Sequence, residues 1–429
     1  MWIFSIIFNL NYITYPKVKI EKLVFGGQGL GRLDNKVYFV WNALPGETVA
    51  VEVTKSKKNF TEGIAREIIT SSPDRIEPAE AHFLSCSPWQ IMTPEAENRF
   101  KIEVARDVFM RNGRLELPAD LRLVSDLENF DHYRSKMEFG FTQANHQLSL
   151  AMVNRDTHQN ISVDECCLAA APITRRASEL LTLLRQSNVE LSSLRRLVIR
   201  VDSSDRCVAD LFVSAPIKSF PLAPADRPDW LRLISDDMNS LPMTTSVELT
   251  EEIMGVKMAF DPEVFFQINL PLFLEVIDRI AQFIPDGSEV IDCFAGVGAL
   301  SLPFAGRLKK LTLIEGDERS CVYAVKNIES NNIMNASVLN APAEKLAGIK
   351  LRGRVVLLDP PRTGLSPAAV DAILSDEPKT IIYLSCDPAT QARDIFLLSA
   401  KYHMEHCELF NFFPRTPHIE SLVVLTLNS

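Results

Sequence analysis

Short stretches of alternating polar and apolar residues, separated by turn residues, dominate the chain from residue 16 to 73. Lys17–Phe25 alternates in this way, four glycines follow between residues 26 and 31, and Val37–Trp41 and Thr48–Thr54 are further apolar runs. Alternation of this kind is typical of half-buried strands, and glycines at this density mark turns or bulges. We therefore predict a small closed β-barrel over residues 16–73, of the kind that often binds oligonucleotides. A purely structural barrel is the alternative.

Residues 74–260 have a mixed pattern. Apolar residues recur at helical spacing in Glu95–Met110 and Ala177–Gln186, whereas Leu197–Val201 and Ala209–Val213 have the composition of strands. We expect a central α+β domain with antiparallel strands over this stretch.

Residues 261–429 alternate short apolar strands with helical stretches. The predicted strands are Val290–Ile291, Leu311–Ile314, Val355–Leu358, Thr380–Leu384 and Ser421–Leu427, with helical stretches at Leu300–Ala305 and Arg319–Ser330. Strands that alternate with crossovers form a doubly wound, Rossmann-like α/β sheet. Ligands of such sheets bind beyond the carboxyl ends of the strands, so residues directly after these strands are the candidates for chemistry.

The first fifteen residues, 1–15, are apolar (MWIFSIIFNLNYITY). The run is too short to span a bilayer, and it lacks the basic start and small-residue cleavage site of a signal peptide. We interpret Met1–Tyr15 as an upstream extension or a misassigned start, with a membrane anchor as the alternative. No other segment approaches a transmembrane run, so no membrane partner is expected.

Charge is distributed unevenly along the chain. The net charge of −10 argues against a protein that coats nucleic acid with one large basic face. Residues 16–73 nevertheless hold nine Lys and Arg against six Asp and Glu, which suggests that this part meets a polyanion. Eight cysteines in 429 residues are too few for a disulfide scaffold and indicate a reducing compartment. We therefore expect a cytoplasmic protein, by default a monomer.

A glycine turn and an acidic residue point to a nucleoside cofactor. Asp292–Gly298 follows the first predicted strand, and Glu315 ends the second, where a carboxylate can accept hydrogen bonds from ribose hydroxyls. The full G-x-G-x-x-G of dinucleotide enzymes is missing, because Ala299, Leu300 and Ser301 follow Gly298. This pattern favours S-adenosylmethionine over NAD.

Cys386 is a candidate nucleophile at the end of the fourth predicted strand. Carbon 5 of a pyrimidine reacts with a methyl group only after a thiolate adds to C6, which requires an accessible cysteine with a depressed pKa. Glu420 lies 34 residues later, before the last strand, and is a candidate base for the C5 proton. Taken singly, a buried structural thiol is the alternative for Cys386 and a solvated carboxylate is the alternative for Glu420, and only the two together favour the chemistry.

Two groups of residues are candidates for RNA contact. Tyr133, Arg134 and Lys136 precede an aromatic strand, Phe139–Phe141, and combine cations with a ring for phosphate binding and base stacking. The second group is the basic turn of the predicted barrel, Lys55, Lys57 and Lys58. A solvated turn is the alternative for both.

Four segments resemble motifs of the bacterial RNA 5-methyluridine methyltransferases. They are Phe265–Asn269 (FFQIN), Asp359–Leu365 (DPPRTGL), Tyr383–Thr390 (YLSCDPAT) and Phe413–Ser421 (FPRTPHIES). The resemblance extends over nearly the whole chain from Lys17 onward. Residues 16–73, with the turn at Leu44–Glu47, resemble the RNA-binding TRAM barrel that many members carry first.

The resemblance implies a role for each matched residue. Cys386 would be the nucleophile and Glu420 the base, and the target base would leave its stack to reach them. The cofactor and uracil pocket would be lined by Gln267, Phe294, Glu315 and Asp359. The substrate would be ribosomal RNA first and transfer RNA second, since local motifs do not separate the two.

The chain departs from the family pattern in its cysteines and its cofactor residues. Many members hold a four-iron cluster on four cysteines, but here Cys86 remains, Trp89 occupies a ligand position, and Cys166 or Cys167 is the later candidate. The set is incomplete, so we expect no iron–sulfur cluster and no metal site. Ala299 stands in place of an Asn, and Pro342 falls near a usual acidic residue, which predicts modest cofactor affinity.

Three other function classes fit the sequence less well. Enzymes that methylate exocyclic nitrogens have an aromatic residue after DPP, where this chain has Arg362, and they leave Cys386 unused. RNA 5-methylcytidine enzymes place a cysteine directly after a proline in that loop. An RNA-binding assembly factor or chaperone without methyl transfer is the alternative from another class, and it makes Cys386 and Glu420 dispensable.

Overall fold

A computed structural model describes residues 15–155, 157–214, 220–235, 248–342, 346 and 348–428. The predicted apolar extension therefore lies, except for Tyr15, outside the described residues. Packing divides the chain into two compact units, Met1–Glu77 and Pro78–Ser429.

The first unit contains a closed five-stranded barrel. Its strands are β1 (Lys17–Leu23), β2 (Gly29–Leu33), β3 (Lys36–Trp41), β4 (Thr48–Ser56) and β5 (Phe60–Thr70). The order is β1-β2-β3-β5-β4, closed by the pairing of β1 with β4, and β3 and β5 run parallel. In β1 the residues Val18 and Ile20 are buried, and after a register shift between Ile20 and Lys22 the next buried residue is Leu23. The predicted barrel is confirmed.

The second unit begins with a mixed α+β region. Its elements are α1 (Phe83–Cys86), α2 (Pro94–Gly113), β6 (Leu123–Val124), β7 (Lys136–Ala144), β8 (Gln147–Val153), β9 (Asn160–Ser162), α3 (Ala171–Gln186), β10 (Leu194–Val201), β11 (Cys207–Val213) and β12 (Leu231–Ser235). A six-stranded sheet has the order β12-β11-β10-β7-β8-β9. Its pairs are antiparallel except β11 and β12. The buried face of α3, with Ile173, Ala177 and Leu180, packs in the core of this region.

The rest of the second unit is a doubly wound α/β sheet. Its elements are β13 (Leu249–Ile253), β14 (Val256–Phe260), α4 (Leu270–Gln282), β15 (Glu289–Cys293), β16 (Lys310–Glu315), α5 (Glu318–Ser330), β17 (Ala336–Asn340), β18 (Val355–Leu358), α6 (Pro367–Asp376), β19 (Thr380–Ser385), α7 (Pro388–Leu398), β20 (Tyr402–Phe410) and β21 (Glu420–Leu427). The eight-stranded order is β17-β16-β15-β18-β19-β21-β20-β6. The chain winds outward from β15 to β17 and returns to β18, so the strand order reverses between β15 and β18. Ligands of doubly wound sheets bind at such a reversal.

Two features differ from the predicted pattern. The helical stretch predicted at Leu300–Ala305 is a 3₁₀ helix at Leu302–Arg307, with Pro303 in its first turn. Strand β6, from the stretch assigned to the central domain, pairs with β20 of the doubly wound sheet. The predicted border at residue 260 is therefore not a break in packing. Among the described residues, every helix is too short or too polar to cross a bilayer.

Candidate active site

The carboxyl ends of four parallel strands meet at one edge of the doubly wound sheet. Strands β15, β16, β18 and β19 are paired in parallel, β15 with both β16 and β18, and β18 with β19. Phe294, Glu315, Asp359 and Cys386 lie at these ends. The sequence places them far apart, and the parallel register brings them to one edge.

A cavity of about 740 Å³ opens at this edge. It is lined by all six residues that the sequence analysis assigned to catalysis or cofactor binding: Gln267, Phe294, Glu315, Asp359, Cys386 and Glu420. Eleven further residues line the cavity, and they include four side chains that had been given no role, namely Phe265, Arg319, Arg362 and Phe413. Three of these four stand inside the recognised motifs, so the motifs carried the signal, whereas Arg319 has none.

The turn after β15 contains left-handed backbone conformations at two glycines and at one residue with a side chain. Phe294 has φ 63°, a left-handed conformation that is uncommon for a residue with a side chain. Gly298 has φ 86°, and a Cβ there would lie 2.6 Å from Leu302. A Cβ on Gly296, by contrast, would meet no atom within 4 Å, so a ligand can approach the backbone here.

The carboxylate of Glu315 supports this turn from the end of β16. Its Oε2 accepts a hydrogen bond from the backbone N–H of Gly296 at 2.8 Å, and its Oε1 accepts one from Asp317 N–H at 2.7 Å. A carboxylate oxygen has two lone pairs, so each oxygen keeps capacity for a ligand hydroxyl. The side chain is therefore oriented at the cavity wall and still able to bind ribose.

Asp292 lies buried directly behind the cavity. Its Oδ2 accepts a hydrogen bond from Ser301 Oγ at 2.5 Å, and its Oδ1 has no partner among the described residues. Burial raises the pKa of Asp292 to about 7, partly opposed by Ser301. The end of β15 thus contains a buried carboxylate oxygen without a hydrogen-bond partner in the described part of the chain.

Cys386 and Glu420 are adjacent because β19 and β21 pair in register. Ser385, the last residue of β19, is opposite Ser421 of β21, so the next residue, Cys386, lies beside Glu420. Gln391 of α7 fastens the pair of strands by donating to Tyr383 O at 2.9 Å and to Ser421 O at 3.2 Å.

The electrostatics of this corner correct one expectation. Burial, and next the charge of Glu420, raise the pKa of Cys386 to about 12, although Arg362 opposes the shift. Burial also raises the pKa of Asp359 to about 7 and holds that of Glu420 well above its usual range. The expectation of a depressed thiol pKa was wrong for this structure, because two carboxyl groups and little water surround the sulfur.

The segment that leads into β21 is anchored by α2 and by Tyr133. Glu97 of α2 accepts a hydrogen bond from the Arg415 N–H at 2.9 Å, and Lys101 donates to Phe413 O at 3.1 Å. Tyr133 donates its hydroxyl proton to Pro414 O at 3.1 Å. Residues from outside the doubly wound sheet therefore hold the strand that carries Glu420.

The predicted RNA contacts lie elsewhere. Tyr133, Arg134 and Lys136 are half-buried and outside the described cavity lining. Arg134 Nε lies 3.5 Å from Tyr133 Oη, and Lys136 donates to Pro262 O at 3.3 Å, since this strand packs on the segment before α4. These three side chains have structural partners, and their contact with RNA stays a prediction.

The basic turn of the barrel is exposed. It comprises the end of β4 and the residues that join β4 to β5. Lys55 is the penultimate residue of β4, Lys57 and Lys58 follow the strand, and all three side chains are exposed to solvent. Lys55 pairs with Glu62 at 2.9 Å and lies 5.8 Å from the centre of the Phe60 ring. The turn presents cations beside an aromatic ring, and its contact with RNA also stays a prediction.

Comparison with known proteins gives consistent matches along the chain. A family model described as tRNA (Uracil-5-)-methyltransferase matches residues 255–428, and a TRAM domain model matches residues 15–65. An uncharacterised RNA methyltransferase of Enterococcus faecalis is 28% identical to the chain, over 96% of this chain and 96% of its own length. An uncharacterised RNA methyltransferase of Thermotoga maritima is also 28% identical, over 95% of this chain and 98% of its own length.

A solved structure has the same fold. The crystal structure of Pyrococcus abyssi tRNA (uracil-54, C5)-methyltransferase in complex with S-adenosyl-L-homocysteine superposes with a TM-score of 0.75 at 21% identity, covering 96% of this chain and all of that one. The likeness confirms the fold class. The two family-model matches, in the predicted order, and the relatives that match over nearly the whole chain identify an RNA methyltransferase with a TRAM domain, and residues 255–428 are the part similar to the tRNA (Uracil-5-)-methyltransferase model.

Proposed function

We propose that the protein transfers a methyl group from S-adenosylmethionine to carbon 5 of a uridine in RNA, through a transient covalent bond between Cys386 and C6 of the base. The observation that carries the proposal is the adjacency of Cys386 and Glu420 in a cavity that Phe294 and Glu315 also line. A thiol beside a carboxyl group meets the needs of this reaction, which requires both a nucleophile and a base.

The cavity suits a nucleoside cofactor beside a flipped-out base. Its volume falls within the range of about 300–1,000 Å³ that is common for small-molecule sites. The open backbone at Gly296 and the carboxylate of Glu315 fit a ribose, Phe294 offers a ring, and Gln267 offers an amide. S-adenosylmethionine bound there supplies an electrophilic methyl group. The Pyrococcus abyssi structure, which holds S-adenosyl-L-homocysteine, supports the same cofactor here.

The reaction balances with the groups present. Cys386 loses its proton, and its sulfur forms a bond to C6, which makes C5 nucleophilic. C5 would then take the methyl group as the bond between that group and the sulfonium sulfur breaks, with S-adenosyl-L-homocysteine as the leaving group. Glu420 takes the C5 proton, the C5–C6 double bond re-forms, and the sulfur leaves as a thiolate. The product is 5-methyluridine.

The proton of Cys386 passes to one of the two flanking carboxylates, Asp359 or Glu420, and a proton taken by Glu420 leaves to solvent before that residue accepts the C5 proton. Their raised pKa values make them stronger bases than exposed carboxylates, which brings them closer to the working pH. Asp359 would also accept a hydrogen bond from the edge of the uracil. The thiolate is therefore generated within the site, not before the substrate binds.

We assign the substrate to ribosomal RNA first and transfer RNA second. The TRAM barrel, with Lys55, Lys57 and Lys58 on one exposed turn, would bind phosphates outside the target nucleotide. Tyr133, Arg134 and Lys136 would act chiefly by holding the segments around the cavity, with any RNA contact secondary. The proposal takes the protein to act as a monomer in the cytoplasm.

The test is methyl transfer from labelled S-adenosylmethionine to unmodified total RNA, followed by nucleoside analysis. The unsubstituted protein should form 5-methyluridine, and Cys386→Ala should form none. Cys407→Ala, which removes a buried thiol of β20, is the matched control and should keep activity. Fractionating the RNA then identifies the substrate.

Two outcomes contradict the proposal. Product from Cys386→Ala would exclude the covalent mechanism. No product from any variant, in protein that binds S-adenosylmethionine and RNA, would favour an RNA-binding assembly factor instead.

A further inference from the structure

A cluster of metal-ligating side chains lies apart from the catalytic cavity. Glu80, His82 and Cys86 come from one short segment around α1, and Cys166 lies in the loop after β9. One donor atom from each of the four side chains lies within 4.8 Å of the other three. The sequence analysis predicted no metal here because it counted thiols, and the set contains an imidazole and a carboxylate as well.

The distances between donor atoms match one small metal ion. The sulfur atoms of Cys86 and Cys166 are 3.8 Å apart, and His82 Nε2 is 3.5 Å from Glu80 Oε2. Zn²⁺ bonds are about 2.3 Å to sulfur and about 2.0–2.1 Å to nitrogen or oxygen. A regular tetrahedron with those bonds separates two sulfurs by about 3.8 Å, and nitrogen from oxygen by about 3.4 Å. Two edges of the tetrahedron therefore already have the required length.

His82 lacks a hydrogen-bond partner at the nitrogen that faces the cluster. Its side chain is only 11% exposed. Nε2 is buried and makes no hydrogen bond within the described part of the chain. Buried polar atoms are nearly always satisfied, so an unsatisfied imidazole nitrogen beside two thiols and a carboxyl group needs an explanation. A bound cation supplies one.

The carboxylate of the cluster is oriented by neighbouring groups. Glu80 Oε1 accepts a hydrogen bond from Cys167 N–H at 2.5 Å, and Oε2 accepts one from Gln90 Nε2 at 2.8 Å. Gln90 is buried, and its amide also donates to Ser87 Oγ at 2.6 Å. Metal-ligating carboxylates are commonly held in this way by surrounding hydrogen bonds.

We propose that Glu80, His82, Cys86 and Cys166 bind one structural Zn²⁺ ion. Two sulfurs, one nitrogen and one oxygen complete a tetrahedron and leave no open position, which distinguishes a structural site from a catalytic one. A mononuclear ion needs only these four donors, whereas a four-iron cluster is usually held by four thiolates. Binding releases the protons of the two thiols to solvent, and no redox step is involved.

The ion links loops that have few regular contacts of their own. The loop with Cys166 receives hydrogen bonds from the His132 and Arg134 N–H groups, at Cys167 O (2.6 Å) and Leu168 O (2.9 Å). The segment after Cys86 reaches Arg415 O through Trp89 N–H at 3.0 Å. Bound zinc would therefore stabilise the region that supports the strand of Glu420 without touching the cavity.

The experiment uses the full chain, expressed with added zinc and purified without chelators. Elemental analysis should find one zinc per chain. After chelation under reducing conditions, added Co²⁺ should give the intense visible bands of a tetrahedral site and a sulfur-to-cobalt charge-transfer band. Cys166→Ser and His82→Ala should each lose at least tenfold in Zn²⁺ affinity, measured against a chromogenic chelator. Cys167→Ser is the matched control, because it removes the neighbouring thiol, and it should keep the metal.

The cobalt spectrum of the unsubstituted protein decides the matter even where a variant fails to fold. Octahedral spectra, or thiols that stay fully titratable with Zn²⁺ present, would overturn the site. Stoichiometric iron and inorganic sulfide would replace it with a cluster. A Cys86–Cys166 disulfide in protein from reducing cells would exclude it, and metal loss in Cys167→Ser would refute this ligand set.

Discussion

The reactivity of Cys386 depends on side chains that are far from it in the sequence. Glu420 follows it by 34 residues and Asp359 precedes it by 27, yet both raise the pKa of its thiol. Arg362, the cation of the DPPR segment, lowers the pKa of the Cys386 thiol but offsets only part of this rise. A thiol that stays protonated until the target nucleotide enters the cavity is protected from alkylation and oxidation, because both reactions act on thiolates.

We expect alkylation of native Cys386 by iodoacetamide to be slow at pH 7 and to rise about tenfold per pH unit up to pH 9, because the thiolate fraction grows that way below the pKa. In urea, where an ordinary thiol has a pKa of about 8.5, the rate should be higher and begin to level off. Peptide mass spectrometry at Cys386 measures both. Fast, pH-independent alkylation of the native protein would show a thiolate and contradict the raised pKa.

Glu420→Gln should stop the reaction after methyl transfer. An amide cannot accept the C5 proton, so elimination fails, and the protein should remain covalently attached to RNA. Product formation should fall by about 10²–10⁴-fold, the usual contribution of a general base. A denaturing gel with labelled RNA should show the retarded complex. The double variant Cys386→Ala/Glu420→Gln should not, and unimpaired turnover by Glu420→Gln would remove this residue from the base role.

At the residue level, the motifs predicted which residues line the cavity better than they predicted the protonation state of those residues. Gln267, Phe294, Glu315 and Asp359 all line the cavity, as the motifs indicated. The protonation of Cys386 was mispredicted, because a pKa depends on burial and on neighbours that only the folded chain brings together. A motif fixes which residue is present but not how much water reaches it.

Among the elements, α2 has the strongest link to the site. Glu97 and Lys101 are one helical turn apart and fully buried, with Lys101 Nζ 3.0 Å from Glu97 Oε1 and 2.5 Å from Asn411 Oδ1. Glu97 Oε1 also accepts a hydrogen bond from Asn411 Nδ2 at 3.0 Å, and both side chains bond to the backbone of residues 413 and 415. The helix thus acts as a clamp on the segment that enters β21.

Lys101→Met should lower the free energy of unfolding by about 3–5 kcal/mol, because it leaves the Glu97 carboxylate buried without its partner. Urea unfolding measures the loss. Arg111→Ala breaks an exposed pair with Asp107 on the same helix and should cost no more than about 0.5 kcal/mol. Equal losses for the two variants would show that the buried pair is not a clamp.

Elements with clear periodicity were predicted, and those set by distant pairing were not. The helix predicted at Glu95–Met110 is present as α2, and the one at Arg319–Ser330 as α5. Strand β6 is two residues long and exists only because β20, nearly 300 positions later, supplies its hydrogen bonds. No local pattern can signal such a strand, because its stabilisation is entirely long-range.

On the scale of the whole molecule, positive charge is concentrated in the barrel region of the sequence, whereas the rest of the chain, which carries the catalytic residues, is acidic. The chain has a net charge of −10, yet residues 16–73 carry a positive balance. An acidic protein that binds RNA must concentrate its phosphate contacts in a small area, since the rest of the surface repels the polyanion. The exposed turn with Lys55, Lys57 and Lys58 is the candidate area.

The triple variant Lys55→Ala/Lys57→Ala/Lys58→Ala should bind RNA more weakly and with a smaller salt dependence. Each lost phosphate contact reduces the slope of log K against log salt by about 0.7–0.9, so three contacts reduce it by about two to three. Fluorescence anisotropy with a structured RNA over a salt series measures the slope. Lys309→Ala/Lys310→Ala, at the start of β16 and away from the catalytic edge of the sheet, is the charge control. Weaker binding with an unchanged slope would mean that the turn shapes the barrel and does not contact phosphate.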